Sequence, residues 1–240
     1  MSSTKVKKIP FQSDKPYEYD WNQPLKDHTK INHMLIPLAN FLLSKEFESV
    51  EFIGAENIPD KGKLLIVANH VNGFDPITVM AGMKNPRSTY FMSKSEFFQA
   101  FYIRFLMLHL VNGFPVKRGS ADREAMKFAV RVLEEGQQML MIFPQGSRDR
   151  YRNRPPVDGE GIKTGFAMIA RDAKSDVLPV SIHLESDVEK KHSKCVVRYG
   201  EVIKYEDLGF TEGVRKSKEV KAASKLIMTK VQELWDKDQM

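Results

Sequence analysis

The sequence is poor in cysteine and has no long uninterrupted apolar segment. Its 240 residues include a single cysteine, Cys195. One thiol excludes an internal disulfide and any zinc or iron–sulfur site built from several cysteines, so we expect a reducing compartment.

Polar residues interrupt the two longest apolar stretches, 34–43 and 97–111, which fall short of the roughly 18–20 apolar residues that span a bilayer. The polar, basic start also lacks the apolar core of a secretory leader. We therefore expect a protein that is dissolved in water or lies on a membrane without crossing it.

Several common catalytic signatures are also missing. The sequence contains no G-x-S-x-G nucleophile elbow, no glycine-rich phosphate loop and no G-x-G-x-x-G turn. These absences argue against a serine hydrolase, a P-loop nucleotide enzyme and a dinucleotide-dependent enzyme. The histidines other than His70 show no spacing typical of metal ligands. We therefore expect neither a metal nor a cofactor.

Basic residues moderately outnumber acidic ones. Lys and Arg total 37 and Asp and Glu total 31, which gives a formal net charge of +6. Such an excess suits a phosphorylated substrate, an anionic bilayer or nucleic acid, although many proteins are mildly basic without such a partner. The charge is spread along the chain and no known nucleic-acid motif is present, so we expect no nucleic acid to bind.

The hydrophobic pattern predicts an α/β fold. Strand-like and helix-like segments alternate through residues 48–240, which favours a mixed, largely parallel sheet covered by helices. Residues 23–47 show helical patterning and are expected to form one helix or a kinked pair ahead of this domain. Residues 1–22 are polar and rich in lysine, and we expect them to form a poorly ordered tail.

The first segment with candidate catalytic residues begins at Asn69, directly after the apolar strand Leu64–Ala68. A tight turn there would bring together His70 and Asp75, five positions apart. An imidazole suits proton transfer at neutral pH, and a carboxylate on its other nitrogen orients it and stabilises its protonated form. The alternative is a surface turn in which Asp75 only caps a helix that begins at Pro76.

Three further segments carry candidate residues. Lys117 and Arg118 precede a helix that Ser120 is expected to cap, where cations and free helix amides would suit a phosphate. The segment from Phe143 to Arg150 follows a buried strand, and its Arg148 would suit a second phosphate oxygen. Each has an ordinary alternative, which is a pair of solvated basic residues or a polar turn.

The fourth segment is an apolar strand that contains Pro179. Proline within a strand indicates a sheet edge or a bulge, which can shape the wall of a pocket. A helical repeat of aromatic residues at 98, 101, 102 and 105 indicates either a core-facing helix or one that contacts a membrane interface.

Together these segments resemble the motifs of the glycerolipid acyltransferase family, whose bacterial members make phosphatidic acid from lysophosphatidic acid. The family's motifs are N-H-x4-D, a Gly followed five positions later by Arg, F-P-E-G-T-R-S, and a Pro in an apolar strand. The matching residues here are, in that order, Asn69, His70 and Asp75; Gly113 and Arg118; Phe143, Pro144, Gly146, Ser147 and Arg148; and Pro179. Lys94 also resembles a lysine often found after the family's second core strand.

The resemblance implies a peripheral enzyme on the cytoplasmic face of the cell membrane, with residues 23–47 docked on an anionic surface. It would transfer a fatty acyl group from acyl-CoA or acyl carrier protein to the sn-2 hydroxyl of lysophosphatidic acid. His70 would be the general base and Asp75 its partner. The residues that would bind substrate are Lys94, Arg118, Gln145, Gly146, Ser147, Arg148 and Pro179.

The sequence departs from the family pattern at three positions. Gln145 replaces the Glu of the third motif, Asn72 stands where Ser is common, and Lys117 replaces a frequently acidic residue. Gln145 removes a negative charge but can still form hydrogen bonds. Two alternatives follow, namely an acyltransferase for another lysolipid and a catalytically weak relative that binds phospholipid.

Overall fold

The computed structural model describes residue 13 and residues 15–117, 122–148, 154–158, 162–185 and 192–238. This part of the chain contains seven strands and six α-helices. The strands are β1 Ser49–Ile53, β2 Leu64–Ala68, β3 Thr89–Lys94, β4 Gly113–Val116, β5 Met139–Ile142, β6 Asp176–Leu184 and β7 Lys194–Tyr199. The helices are α1 Thr29–Glu46, α2 Asp75–Ala81, α3 Phe101–His109, α4 Arg123–Glu134, α5 Gly165–Ala173 and α6 Ser217–Asp236.

The described strands form one mixed sheet in the order β1-β7-β6-β2-β5-β3-β4. Strands β2, β3, β4, β5 and β6 run parallel to one another. Strand β7 is antiparallel to β6 and parallel to β1. The prediction of a mixed, largely parallel sheet is therefore confirmed. Because β2, β5, β3 and β4 are parallel, the carboxyl ends of these strands lie side by side. This end of the strands is where α/β sheets place their ligands.

Strand β2 lies at the centre of this sheet because its sequence is apolar on both faces. All five of its residues, Leu64–Ala68, are fully buried. A parallel strand with helices on both sides needs such a continuous apolar run. Burying each of its large aliphatic side chains contributes about 1.5–3 kcal/mol. The turn that follows is thus attached to one of the most firmly held elements of the fold.

Helices cover both faces of the sheet. Side chains of α1 and α2 pack with Ile66 and Leu178 on one face. Side chains of α4, α5 and α6 pack with Leu65 and Val67 on the other. The connections from β2 to β3 and from β3 to β4 step in the same direction along the sheet, so right-handed crossovers place α3 on the same face as α2.

The N-terminal part agrees with one of the two alternatives expected for residues 23–47 and differs from expectation before it. Helix α1 is a single helix with Pro37 inside it. The described residues before it are not a disordered tail, so that prediction is wrong for residues 15–22. Tyr19 is buried, and its ring lies 4.7 Å from that of Trp21 and 5.4 Å from that of Phe128 in α4. Aromatic contacts hold this segment although its composition is polar.

Pro179 lies inside the sheet, so the prediction of a sheet edge is wrong. Its strand β6 has β2 on one side and β7 on the other. The alternative of a bulge is confirmed, because Val180 pairs with Tyr199 whereas Val177 pairs with Ile203. The three residue steps from Val177 to Val180 in β6 thus lie opposite four residue steps, from Tyr199 to Ile203, in the neighbouring segment. The Pro179 carbonyl still accepts a hydrogen bond from Gly200 N at 2.9 Å, and the bulge accommodates the missing N–H.

Two further elements were not predicted correctly. Strand β4, Gly113–Val116, completes the sheet beside β3 and was not predicted. Helix α4 begins at Arg123 with Asp122 as its cap, whose carboxylate accepts a hydrogen bond from Ala125 N. The predicted cap, Ser120, lies outside the described residues. Among the helices that the structure describes, none is long and apolar enough to cross a membrane.

Candidate active site

The candidate residues come from neighbouring strand ends at one edge of the sheet. His70 lies two residues after β2, and the segment that begins at Phe143 follows β5. Lys94 is the last residue of β3, and it pairs with Val116 at the end of β4. The parallel arrangement therefore brings together segments that are far apart in the sequence.

The turn after β2 is organised around the Asp75 carboxylate. Its Oδ2 lies 2.6 Å from Nδ1 of His70 and accepts hydrogen bonds from Val71 N at 2.7 Å and Asn72 N at 2.9 Å. Asp75 is the first residue of α2 and Phe74 is the cap, so the alternative in which Asp75 only caps this helix is wrong. The turn folds the carboxylate back onto the residues before it.

Asp75 is completely buried, which bears on its charge. Burial raises the pKa of this carboxyl group, while the hydrogen bonds from His70 and the two backbone amides oppose the rise. With Asp75 ionised, the tautomer that carries its proton on Nδ1 donates to Oδ2. The Nε2 atom of His70 is then the ring nitrogen available to accept a proton.

His70 is held by two contacts from the segment after β5. Its backbone N donates a hydrogen bond to Oε1 of Gln145 at 2.6 Å. Its ring stacks on Phe143, with centroids 4.5 Å apart and an angle of 28° between the planes. The His70 side chain is 15% exposed and that of Asp75 only 1%, so the imidazole faces the surface and the carboxylate lies behind it.

Two contacts that support the turn were not predicted. Asn69 is buried, and its side chain donates to Ile182 O at 2.8 Å and accepts from Ile182 N at 2.7 Å. The sequence feature that could have indicated this supporting role of Asn69 is its position as a polar residue directly after five apolar ones. Asn72 donates to Oε1 of Glu46 at 2.8 Å, a contact with α1 for which the sequence carried no signal.

Arg148 lies beside the same turn. A methyl group built on Gly73 would lie 3.2 Å from Nη1 of Arg148, so a side chain larger than glycine's would press on the guanidinium. Gly146, with φ of +65°, shapes the turn that leads there, and its N–H bonds to Phe143 O. Arg148 and Ser147 are both exposed, so a cation is available beside Gly73, three residues from His70.

The remaining predicted substrate-binding residues are placed differently. Lys94 lies at the same edge, but its ammonium group is 2.9 Å from the carboxylate of Glu96. Pro179 is paired with Val67, three residues before His70, inside the sheet. Arg118 lies outside the described residues. No group of three or more His, Cys, Asp or Glu side chains that could hold a metal ion occurs in the described part of the chain.

This arrangement can transfer a proton. An imidazole held by a buried carboxylate can remove a proton from a hydroxyl group and return it to a leaving group. A guanidinium beside the same turn, here that of Arg148, can bind a phosphate or carboxylate. The site therefore suits a reaction in which an alcohol that bears an anionic group acts as the nucleophile.

Comparisons with known proteins agree with this chemistry. The sequence model of the family described as Acyltransferase matches residues 49–183. A 1-acyl-sn-glycerol-3-phosphate acyltransferase of Streptococcus pneumoniae is 28% identical over 138 residues, 55% of this chain and 47% of that protein. A protein of the same description from Borreliella burgdorferi is 25% identical over 131 residues, 54% of this chain and 49% of that protein. The chain spans about half the length of these curated relatives.

A solved structure supports the same fold. The crystal structure of the 1-acyl-sn-glycerophosphate (LPA) acyltransferase PlsC from Thermotoga maritima superposes with a TM-score of 0.58 and 21% identity. The superposition covers 84% of this chain and 78% of that one. At this identity the likeness concerns the fold alone. The family match contains both His70 and Asp75 and extends over more than half of the sequence, and the chain belongs to the acyltransferase family.

Proposed function

We propose that the protein transfers a fatty acyl group to the sn-2 hydroxyl of lysophosphatidic acid and so forms phosphatidic acid. The observation that carries this proposal is the 2.6 Å contact between His70 and the buried Asp75, with Arg148 beside the same turn. The names of the curated relatives support the reaction and the acceptor. The proposed acyl donor is acyl-CoA or acyl carrier protein, both of which present a thioester.

In the proposed mechanism, Nε2 of His70 accepts the proton of the acceptor hydroxyl. The hydroxyl oxygen attacks the thioester carbonyl carbon and the C–S bond breaks. The departing sulfur takes the proton from the imidazolium and leaves as a thiol, which returns His70 to its neutral form. Asp75 keeps the imidazole oriented and stabilises its positive charge. Proton transfer of this kind contributes about 10²–10⁴-fold in rate. Arg148 binds the acceptor phosphate and so positions the hydroxyl for attack.

The direct test uses purified full-length protein, radiolabelled palmitoyl-CoA or palmitoyl-acyl carrier protein, and a panel of lysolipids. We expect labelled phosphatidic acid from lysophosphatidic acid and less product from lysolipids whose phosphate carries a choline or ethanolamine group. Product from another lysolipid alone would replace the proposed acceptor. Binding of lysophosphatidic acid without turnover, with either donor, would favour the weakly catalytic relative.

Gln145 provides a test of the main departure from the family pattern. A Glu at this position can accept the His70 N–H with a charged oxygen, and its negative charge would favour the imidazolium that forms on His70. We expect Gln145→Glu to raise kcat/KM for lysophosphatidic acid about five- to tenfold, because hydrogen bonds to charged groups exceed neutral ones by about 1 kcal/mol. Steady-state kinetics measures the change.

Gln145→Met is the matched control, because it has a similar size and no acceptor for the His70 N–H. It should lower kcat below that of the natural chain. If Gln145→Glu is no more active than the natural chain, the missing carboxylate does not limit turnover.

Arg148 is expected to act mainly on acceptor binding. Arg148→Ala should raise the KM for lysophosphatidic acid about tenfold or more and change kcat less, because a hydrogen bond to a charged group contributes about 1.5–3 kcal/mol. Arg215→Ala is the control, since Arg215 is exposed and lies next to Asp172 of α5, away from the site. An unchanged KM for Arg148→Ala would remove Arg148 from the phosphate site.

The proposed location is the cytoplasmic face of the cell membrane, on an anionic surface. Helix α1, within the predicted docking segment 23–47, supports this proposal. It exposes Met34, Leu38 and Phe41, with exposed fractions of 78%, 52% and 57%. The Lys45 ammonium lies 5.4 Å from the centre of the Phe41 ring, so a cation accompanies the apolar stripe. Basic groups near an anionic surface contribute about 1 kcal/mol each.

A further inference from the structure

Helix α3 exposes several of its large apolar side chains. None of its nine residues is buried. Four large side chains on it are exposed, and we call them the α3 patch: Phe101 at 69%, Tyr102 at 43%, Phe105 at 58% and Leu106 at 45%. A helix on the surface of a protein in water normally turns its apolar stripe towards the core. The α3 patch therefore needs another explanation than packing against the residues that the structure describes.

The helix is nevertheless held firmly at its start. Phe98, in the 3₁₀ turn before α3, is fully buried and stacks on Tyr17 with ring centroids 6.1 Å apart. The guanidinium of Arg104 lies 4.8 Å from the centre of the Tyr17 ring and donates to Phe98 O at 3.3 Å. Phe98 and Arg104 thus anchor the helix, and the α3 patch is presented outwards by an ordered element.

Basic residues outnumber acidic ones on the helices α1 and α3, and Glu96, in the 3₁₀ turn before α3, is paired with Lys94. Helix α3 contains Arg104 and no acidic residue, and α1 contains Lys30 and Lys45 with Glu46 as its acidic residue. Glu46 accepts the hydrogen bond from Asn72. By contrast, the helices on the other face of the sheet alternate acidic and basic residues, as in the Arg123–Glu134 sequence of α4. Apolar side chains accompanied by more cations than acids suit an anionic lipid surface.

The two exposed helices are on the same side of the molecule. Helix α1 packs with α2, and right-handed crossovers put α3 on that face of the sheet as well. Lys26, three residues before α1, donates its ammonium group to Leu108 O near the end of α3 at 3.4 Å, so the start of α1 lies near the end of α3. One approach to a flat surface can therefore bring both sets of apolar side chains into contact with it.

We propose that the α3 patch is a second membrane-docking surface, which inserts into the boundary between headgroups and acyl chains of an anionic bilayer. This inference rests on the proposed function, in which both substrates are amphiphiles. Phe101, Phe105 and Leu106 supply the apolar area, and Tyr102 suits the interface because its ring is apolar and its hydroxyl group polar. With α1, the patch defines the orientation of the protein, which a single helix cannot do.

The test measures binding of the full-length protein to sucrose-loaded vesicles by sedimentation. The vesicles consist of phosphatidylcholine with or without phosphatidylglycerol. We expect the Phe101→Ser/Phe105→Ser variant to bind the anionic vesicles about tenfold more weakly or worse, because two aromatic rings that would insert into the bilayer are lost. Met168→Ser is the matched control, because Met168 is an exposed apolar residue of α5 on the opposite face and should bind like the natural chain. Thermal unfolding checks that each variant is folded.

A second measurement reports the position of the patch directly. Tryptophan fluorescence of Phe105→Trp, after subtraction of the natural chain, should shift to shorter wavelength on adding anionic vesicles. Lipids with brominated acyl chains should quench it, whereas Met168→Trp should show neither effect. This variant tests the patch even if the double serine variant fails to fold.

Three results would overturn the proposal. The first is vesicle binding by the double serine variant equal to that of the natural chain. The second is a natural dimer that becomes monomeric in this variant with vesicle binding unchanged, which would make the patch an interface between copies. The third is short-wavelength emission of Phe105→Trp without vesicles that is lost when residues 1–12 are removed, which would assign the patch to the chain's own N-terminus.

The outcome is separable from that of the proposed reaction. If the natural chain binds vesicles through the α3 patch but transfers no acyl group to any lysolipid, the docking surface stands and the reaction fails. If it acylates lysophosphatidic acid while the double serine variant binds vesicles unchanged, the reaction stands and the docking surface fails.

Discussion

Replacing His70 with alanine is expected to lower kcat for acyl transfer by about 10²–10⁴-fold, the usual contribution of general acid–base catalysis. The imidazole is the group that would take the hydroxyl proton, and Asp75 cannot replace it because its side chain is 1% exposed and lies behind His70. The measurement is the initial rate of labelled phosphatidic acid formation at saturating substrate. Binding of lysophosphatidic acid should change little, since the anionic group is assigned to Arg148.

The control for this prediction is His33→Ala, which removes an exposed histidine of α1 outside the site. It should retain the activity of the natural chain. Thermal unfolding shows whether His70→Ala is folded. A folded His70→Ala protein that keeps most of its kcat would exclude His70 as the base and would remove the main support for the proposed mechanism.

Asp75→Asn is expected to lower kcat by a similar factor, about 10²–10⁴-fold, with a much smaller change in the KM of the acceptor. An asparagine can still accept from Val71 N and Asn72 N with its oxygen. That oxygen takes the place of Oδ2 and so also contacts Nδ1 of His70, but because it is uncharged it cannot stabilise the imidazolium that forms. The effect should therefore appear in kcat rather than in binding, because the turn keeps its shape.

Asp60→Asn is the matched control, because Asp60 is an exposed carboxylate that accepts a hydrogen bond from Asn85 and lies outside the site. Its kinetics should be those of the natural chain. An Asp75→Asn protein with unchanged kcat would mean that orientation by the carboxylate is dispensable. A rise in KM alone would instead place Asp75 in acceptor binding.

Much of the fold was predictable because its signals are local. The continuous apolar run Leu64–Ala68 could only be a strand buried on both faces, and it is. The contact between His70 and Asp75 was also predictable, since a turn over five residues brings their side chains together once Val71 and Asn72 turn their amides inwards. The role of Asp75 as a helix cap was the wrong alternative, because its carboxylate accepts from residues before the helix.

Contacts between distant segments were not predictable from one sequence. Gln145 could be recognised only as a departure from a family motif, whereas the structure places its oxygen on the backbone of His70, 75 residues away. Pro179 indicated an edge or a bulge, and only the strand order decided between them. The aromatic residues at 17, 19 and 21 lie in a polar stretch whose composition predicted disorder, while their rings pack against the folded domain.

The sequence by itself determined the central strand, the turn after it and the pairing of imidazole and carboxylate, because all of these depend on residues within about one turn of each other. The tertiary structure alone decided which residues surround that pair and which helix faces remain uncovered. Phe98 and Phe101 share a helical repeat, yet one is fully buried and the other 69% exposed. A periodic pattern specifies that a helix has an apolar face, but what covers that face depends on elements from elsewhere in the chain.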